Sequence, residues 1–165
     1  MPRLIPKRYI PNILSRRDAK TVRRELLASR RLYRKGIYYT RRNVKTFPSK
    51  KSKHIIRAER IYKIDKIVPS LELAKKTGCS VRALSDIERK GQGAYFSSGS
   101  RPNQSAHSWG RARLASAITG GKSAAVDFSI LDRGCNHSTS RAHKMARTAL
   151  KKYGNGRRHT ARVVL

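Results

Sequence analysis

The sequence predicts an all-α fold: a small helical core containing a helix-turn-helix-like pair, with a long basic N-terminal arm and a basic C-terminal helix. Three observations carry this expectation. Apolar residues recur at helical spacing, as in Ala142, Met145, Ala146, Ala149 and Tyr153. Glycines stand where such runs stop, at Gly36, Gly78, Gly120, Gly134 and Gly154. Finally, 40 Lys/Arg against 9 Asp/Glu give a formal net charge of +31 over 165 residues. Self-repulsion at that level disfavours compaction unless counter-charge comes from nucleic acid, an anionic membrane face or acidic protein patches.

The charge is uneven. Residues 1–68 hold 22 Lys/Arg and 4 acids, residues 69–135 hold 10 and 5, and residues 136–165 hold 8 and none. The expected organisation follows: a basic arm with one long helix (1–68), a helical core with a Gly/Ser-rich loop (69–135), and a basic C-terminal helix and tail (136–165). The middle segment contains the single tryptophan, Trp109, which is expected to be largely buried.

In chain order, Pro2, Pro6 and Pro11 make residues 1–14 extended. Ser15 offers an N-cap with Asp18 in the capping-box position, opening a helix over Arg16–Lys35. Its apolar stripe is narrow (Ala19, Val22, Leu26, Tyr33) and its remaining surface is nearly all Arg and Lys. Residues 36–51 place Tyr38, Tyr39, Val44 and Phe47 among Arg41, Arg42, Lys45, Lys50 and Lys51. Aromatics interleaved with cations suit nucleic acid, and equally an arm laid over protein neighbours. This segment has no periodic core face, so its ordering is expected to come from outside contacts. Further helices are predicted over Ser52–Tyr62, Leu71–Thr77, Val81–Lys90, Ser105–Ile118, around Val126–Leu131, and over Ser138–Tyr153, with a loop from Gly91 to Gln104. No strand pair is predicted.

Leu73, Ala74, Gly78, Cys79, Leu84 and Ile87 match a helix-turn-helix pattern. Segment 69–91 nets only +2, however, and Asp86 and Glu88 accompany Arg82 and Arg89. A helix entering a phosphate-lined groove is normally among the more basic parts of a chain, so packing is the expected role of this pair. Ser116-(x4)-Gly121-Lys122-Ser123 lacks the first glycine of a phosphate-binding loop and follows a helix rather than a strand. Cys135-x-His137-(x5)-His143 is the one metal-like cluster, but a structural zinc site wants four ligands at tighter spacing. Cys79 and Cys135 are expected to be reduced thiols, since two distant cysteines make no disulfide framework. There is no secretory h-region after Met1 and no stretch apolar enough to span a bilayer. No Ser-His-Asp spacing, paired carboxylates or nucleophile elbow points to an enzyme. The loop from Gly91 to Pro102 is the most distinctive stretch, fit either to hold an anion with its hydroxyls and Arg101 or to pack Tyr95 and Phe96 while capping helices.

Three motifs then stand together: Ala74-Lys75-Lys76-Thr77-Gly78-Cys79-Ser80, Gly93-Ala94-Tyr95-Phe96-Ser97-Ser98-Gly99-Ser100-Arg101-Pro102-Asn103-Gln104, and Ser108-Trp109-Gly110-Arg111-Ala112-Arg113-Leu114-Ala115-Ser116. This string resembles a domain family of unknown function from large double-stranded DNA viruses of algae, with shorter relatives in cyanophages. The resemblance extends to Tyr38-Tyr39-Thr40 and Ser52-Lys53-His54, and so over most of residues 1–135. It brings no assigned chemistry; it implies a viral product made in the host cytoplasm and packaged in the virion.

The function expected from these observations is a virion structural protein, a basic minor capsid protein acting as cement or at the inner face. Its expected partners are other capsid proteins, with viral DNA or an anionic inner membrane surface beside them, and no small-molecule substrate, cofactor or metal. The alternative is a helix-turn-helix or genome-condensing nucleic-acid-binding protein. The residues expected to meet a polyanion are Arg16, Arg17, Arg23, Arg24, Arg30, Arg31, Arg41, Arg42, Lys50, Lys51, Arg101, Arg157 and Arg158. Tyr38, Tyr39 and Phe47 are expected to contact a partner.

Overall fold

A computed structural model describes residues 3–155 and 160–165. The protein is mostly helical, with 58% of the described residues in helices and 5% in strands or bridges. The elements run β1 (Leu4–Pro6), a 3-10 turn (Lys7–Tyr9), α1 (Arg16–Tyr33), α2 (Lys53–Tyr62), α3 (Leu71–Thr77), α4 (Val81–Ser97), α5 (Ala106–Ile118), α6 (Lys122–Val126), α7 (Phe128–Gly134), α8 (Arg141–Tyr153) and β2 (Arg162–Val164). They form two compact units, one from residues 3–50, 92–109 and 160–165, the other from residues 51–91 and 110–155. The compact units thus do not follow the segments 1–68, 69–135 and 136–165, because each unit gathers pieces distant in sequence.

In the first unit, Ile5, Tyr9, Ile10, Leu14, Val22, Leu26 and Val44 form a buried cluster, with Ala19, Phe47, Trp109, Val163 and Leu165 packed against it. Ser15 caps α1 by accepting a hydrogen bond from the Asp18 amide. Two features differ from expectation. β1 and β2 pair antiparallel, Leu4 with Val164 and Pro6 with Arg162. Strands of three residues joining the two ends of a chain leave no local periodicity to read. Trp109 is half-buried, edge-on to Tyr9 at 6.0 Å, rather than enclosed.

Residues 4–50 pack within the first unit. Their apolar residues are sparse, yet they meet across the unit, and hydrogen bonds between distant segments hold the rest. Gly99 shows how close the packing is. Its φ is +126°, and a Cβ there would lie 2.8 Å from Leu26 Cδ2 and 3.1 Å from the Tyr9 ring.

The second unit has its own core, in which Leu73, Leu84, Ile87, Leu114, Ile118, Leu131, Ala142 and Ala146 are among the enclosed side chains. The α3–Gly78–α4 succession matches the predicted one, but α4 continues to Ser97 where a loop from Gly91 was expected. Gly91 is no helix stop. A Cβ on it would come within 2.6 Å of Gly110 Cα, so the missing side chain lets α4 lie against α5. The buried hydroxyl of Tyr62 donates to the Ile118 carbonyl, and burial raises its phenol far above the ordinary range.

The predicted helix around Val126–Leu131 is two helices, α6 and α7, separated at Asp127. That carboxylate is fully buried and accepts from Lys90 Nζ at 2.7 Å, Arg113 Nε at 2.7 Å and Arg113 Nη2 at 2.8 Å. Such a pair contributes chiefly by not being broken, because removing one partner strands the other charge.

Cys79 and Cys135 are not free thiols. They form a disulfide with S–S 2.06 Å, within an antiparallel bridge flanked by bonds from Ser80 N to Gly134 O (2.7 Å) and Asn136 N to Gly78 O (2.8 Å). Their separation of 56 residues held no pairing signal; the folded backbone makes them neighbours.

Two outcomes are expected in chemical denaturation. Replacing both cysteines by serine should lower stability by roughly 2–4 kcal/mol, and alkylation of the native, unreduced protein should label neither cysteine. Asp127→Ala should cost about 3–5 kcal/mol, well beyond any exposed acidic position.

Candidate polyanion-binding surface

The candidate surface belongs to the first unit, where 18 Lys/Arg accompany only two acids, Asp18 and Glu25. α1 sets the pattern. Val22, Glu25, Leu26 and Ser29 point into the unit, and Arg16, Arg17, Lys20, Arg23, Arg24 and Arg31 stand exposed on the opposite face. Over 18 residues this ridge extends roughly 27 Å at 1.5 Å per residue. Arg23 Nη1 donates to Val164 O at 2.6 Å, and Arg30 is half-buried with its Nη1 unpartnered and its guanidinium pKa pulled down by burial.

Neither acid neutralises these cations by direct pairing. Asp18 Oδ2 accepts from Thr46 N at 2.8 Å and Thr46 Oγ1 at 2.6 Å, and these bonds hold its carboxyl below the ordinary value. Glu25 Oε2 accepts from Tyr39 Oη at 2.8 Å and Arg42 N at 3.0 Å. The two acids are used to hold residues 39–46 against α1. Among the described residues, every ion pair lies in the second unit: Lys51–Glu59, Lys76–Glu72, Lys90–Asp127, Arg113–Asp127 and those of Asp132 with His137 and His143.

Arg41, another of the predicted anion-binding residues, is committed to internal bonds. Its Nη1 donates to Ser29 Oγ (3.0 Å) and Tyr95 O (2.7 Å), and its Nη2 donates to Ser100 Oγ (2.7 Å). The guanidinium lies 3.8 Å from the centroid of the Tyr95 ring, whose hydroxyl accepts from Arg41 N. Burial lowers its pKa, opposed by Tyr95, Tyr9 and Glu25. Arg41 is therefore a structural pin rather than a surface cation.

The Ser97–Gln104 motif has a matching role. Asn103, at φ +59°, accepts from Val44 N (2.7 Å) and donates to Val44 O (2.9 Å) and Phe47 O (2.8 Å). Its side chain thus captures the basic segment instead of holding an anion. A shallow cleft of about 280 Å³, open to solvent, is bordered by Glu25, Arg41, Arg42, Arg101, Asn103 and Gln104.

The other predicted residues are spread out. Arg42, Lys50 and Arg101 are exposed in the first unit, whereas Lys51 belongs to the second and is bonded to Glu59 at 2.7 Å. Arg157 and Arg158 lie outside the described residues. Tyr39 and Phe47 are half-buried in internal contacts, and Tyr38 alone of the three is exposed. Lys20, Arg34 and Lys35 were not among the predicted residues although all three are exposed. The helical wheel of α1 would have found Lys20; Arg34 and Lys35 follow it in the closing turn.

The metal-like cluster is also rearranged. Cys135 is in the disulfide, and Asp132 joins His137 and His143, with ligand-type atoms within 4.8 Å of one another. Asp132 Oδ1 lies 2.8 Å from His143 Nε2 and 3.3 Å from His137 Nε2, and the His143 bond leads in holding the carboxyl below its ordinary value. The resulting stabilisation is present above the ordinary carboxyl pKa and is lost as pH falls through the lowered one. The imidazoles are stacked at 4.2 Å and 13°, so an ion between them would lie outside both ring planes. This arrangement suits carboxylate–imidazole bonding better than coordination.

No helix among the described residues is long and apolar enough to cross a membrane. What fold and surface define is a mostly helical protein with an unpaired cationic face. Residues 6–132 match the model of a family of unknown function, DUF5824, and the chain belongs to that family. No curated protein and no solved structure matches it. The family match ends at Asp132, before α8 and β2.

Arg41→Ala should destabilise the protein by about 2–4 kcal/mol in urea unfolding and expose residues 37–50 to proteolysis, because it strands buried partners. Arg42→Ala, at an exposed side chain, should stay within about 0.5 kcal/mol of the parent.

Proposed function

We propose that this protein is a non-enzymatic structural protein that binds polyanions, and that its principal ligand is the phosphate backbone of nucleic acid. The supporting observation is the disposition of charge in the first unit. Its two carboxylates bond to Tyr39, Arg42 and Thr46, and α1 presents a row of exposed cations without acidic partners. Cations so placed release the counterions condensed on nucleic acid, which favours binding without sequence preference.

The helix-turn-helix-like pair α3–α4 is assigned a lesser part. Arg82 and Arg89 are exposed on α4 with half-buried Asp86 between them, so this face is weakly basic. Its inward residues Leu73, Leu84 and Ile87 belong to the second unit's core.

A second reading sets the same binding in a virion, as a minor capsid protein whose cations meet the genome, an anionic inner membrane surface or other capsid proteins. It is favoured by the Gly93–Gln104 and Ser108–Ser116 motif string and its resemblance to an algal-virus domain family. The cement version of that reading is the weaker one. It relied on residues 1–68 being ordered by neighbours, and residues 4–50 pack within their own unit. An inner-face position keeps its support from the charge. Proteomics of purified particles, yielding a copy number, tests this setting.

Binding to duplex DNA should weaken linearly in log affinity against log salt. The combined variant Arg17→Ala/Lys20→Ala/Arg24→Ala/Arg31→Ala should flatten that slope by about 3–4, and Arg82→Ala by no more than about one. Absence of salt-dependent binding overturns the proposal; loss of a sequence preference in Arg82→Ala would favour a helix-turn-helix regulator.

A further inference from the structure

Tyr38 is 70% exposed, the one Phe, Tyr or Trp side chain among the described residues in the exposed class. It is not a loose side chain. Its ring meets Phe96 at a centroid distance of 5.2 Å and 64°, and Tyr33 at 6.0 Å and 61°. Phe96 in turn meets Tyr95 at 5.0 Å and 90°, and Tyr95 is wholly buried beneath the Arg41 guanidinium. A line of ring contacts therefore runs from the bonded core of the unit to its surface and ends in Tyr38. Both of its ring contacts are of the T-shaped kind, and most of the residue remains open to solvent.

The residues around it in the chain supply charge. Arg34 and Lys35, both exposed, precede it in the turn that Gly36 completes at φ +75°, and exposed Arg42 follows. Ile37 beside it is half exposed, whereas the neighbouring Tyr39 is held inward by Glu25. The result is a pre-positioned aromatic surface with cations before and after it in sequence. A duplex offers such a ring almost no base faces; a single strand offers one at every nucleotide, beside a phosphate.

We infer that Tyr38 is a stacking platform for an unpaired nucleobase, with Arg34, Lys35 and Arg42 holding the flanking phosphates, so that the first unit engages single-stranded nucleic acid by more than charge. This rests on the nucleic-acid reading above and specifies its ligand. Stacking on one aromatic contributes roughly 1–3 kcal/mol per base, or about a five- to hundredfold change in affinity.

The test is fluorescence anisotropy of the full chain at one fixed salt concentration with three probes: a labelled oligothymidylate, a hairpin duplex with the same number of phosphates, and an abasic oligomer of the same length. Tyr38→Ala is expected to weaken oligothymidylate binding about five- to hundredfold, and to change duplex and abasic binding less than about twofold. Tyr38→Trp is expected to retain or strengthen oligothymidylate binding, and unchanged unfolding midpoints establish that both variants are folded. An equal loss on all three probes, or no loss on oligothymidylate, overturns the stacking role while leaving the polyanion reading intact. If the parent protein binds none of the probes, the polyanion reading itself falls, and this inference with it.

Discussion

The Arg41 guanidinium is the contact on which the first unit depends. It reaches Ser29 of α1, the Tyr95 carbonyl near the end of α4, and Ser100 of the following loop, while stacking on the Tyr95 ring. Two segments, α1 and the stretch from Tyr95 to Ser100, converge on this one side chain. The planar fork of arginine suits this role because it directs several donors at once and keeps its charge when largely desolvated. A lysine would offer a point charge and no face to stack. The second unit is arranged around the opposite charge: Asp127, fully buried, receives Lys90 and Arg113 at the break between α6 and α7. Each unit thus has a charged side chain, half-buried Arg41 in one and buried Asp127 in the other, whose partners come from separate elements.

Scarcity of acid explains much of what surrounds these two contacts. With nine carboxylates for forty cations, the chain cannot pair its charges internally. The first unit commits Asp18 and Glu25 to backbone amides and hydroxyls, which draws residues 39–46 onto α1 but leaves the outer face of the helix cationic. That face is compatible with folding because its charges are spread along a helix in water, where screening is strong. It is also the part of the molecule best suited to an external polyanion. The inward face of α1 serves packing, and the opposite face is the one proposed to meet a polyanion.

The disulfide and the close α4–α5 approach belong to the second unit and show another economy. Gly91 and Gly110 give up side chains so that two helices can meet, and Cys79–Cys135 ties the turn after α3 to the end of α7. Ser140 adds to the same junction, donating to the Thr77 carbonyl at 2.6 Å while capping α8. The Gly78–Ser80 turn is accordingly fixed from two sides.

By itself the sequence determined most of the helices and several of their ends, though not the extension of α4 to Ser97, the break between α6 and α7, or the start of α8 at Arg141. Ser15, Ser52, Ser70 and Ser140 cap the N-termini of α1, α2, α3 and α8, and Gly36, Gly78 and Gly154 stand where α1, α3 and α8 finish. Caps and stops act within a turn of their own residue, so a local reading finds them. The cationic face of α1 was legible for the same reason, since helical spacing assigns it. Only the tertiary structure decided that Arg41 is a pin and Arg42 a surface charge, that Tyr39 turns inward and Tyr38 outward, and that Gly91 continues a helix. It also paired Cys79 with Cys135 and β1 with β2. In each of these cases the deciding partner lies far along the chain, and the free energy comes from burial, stacking or hydrogen bonding with a group that no local pattern names.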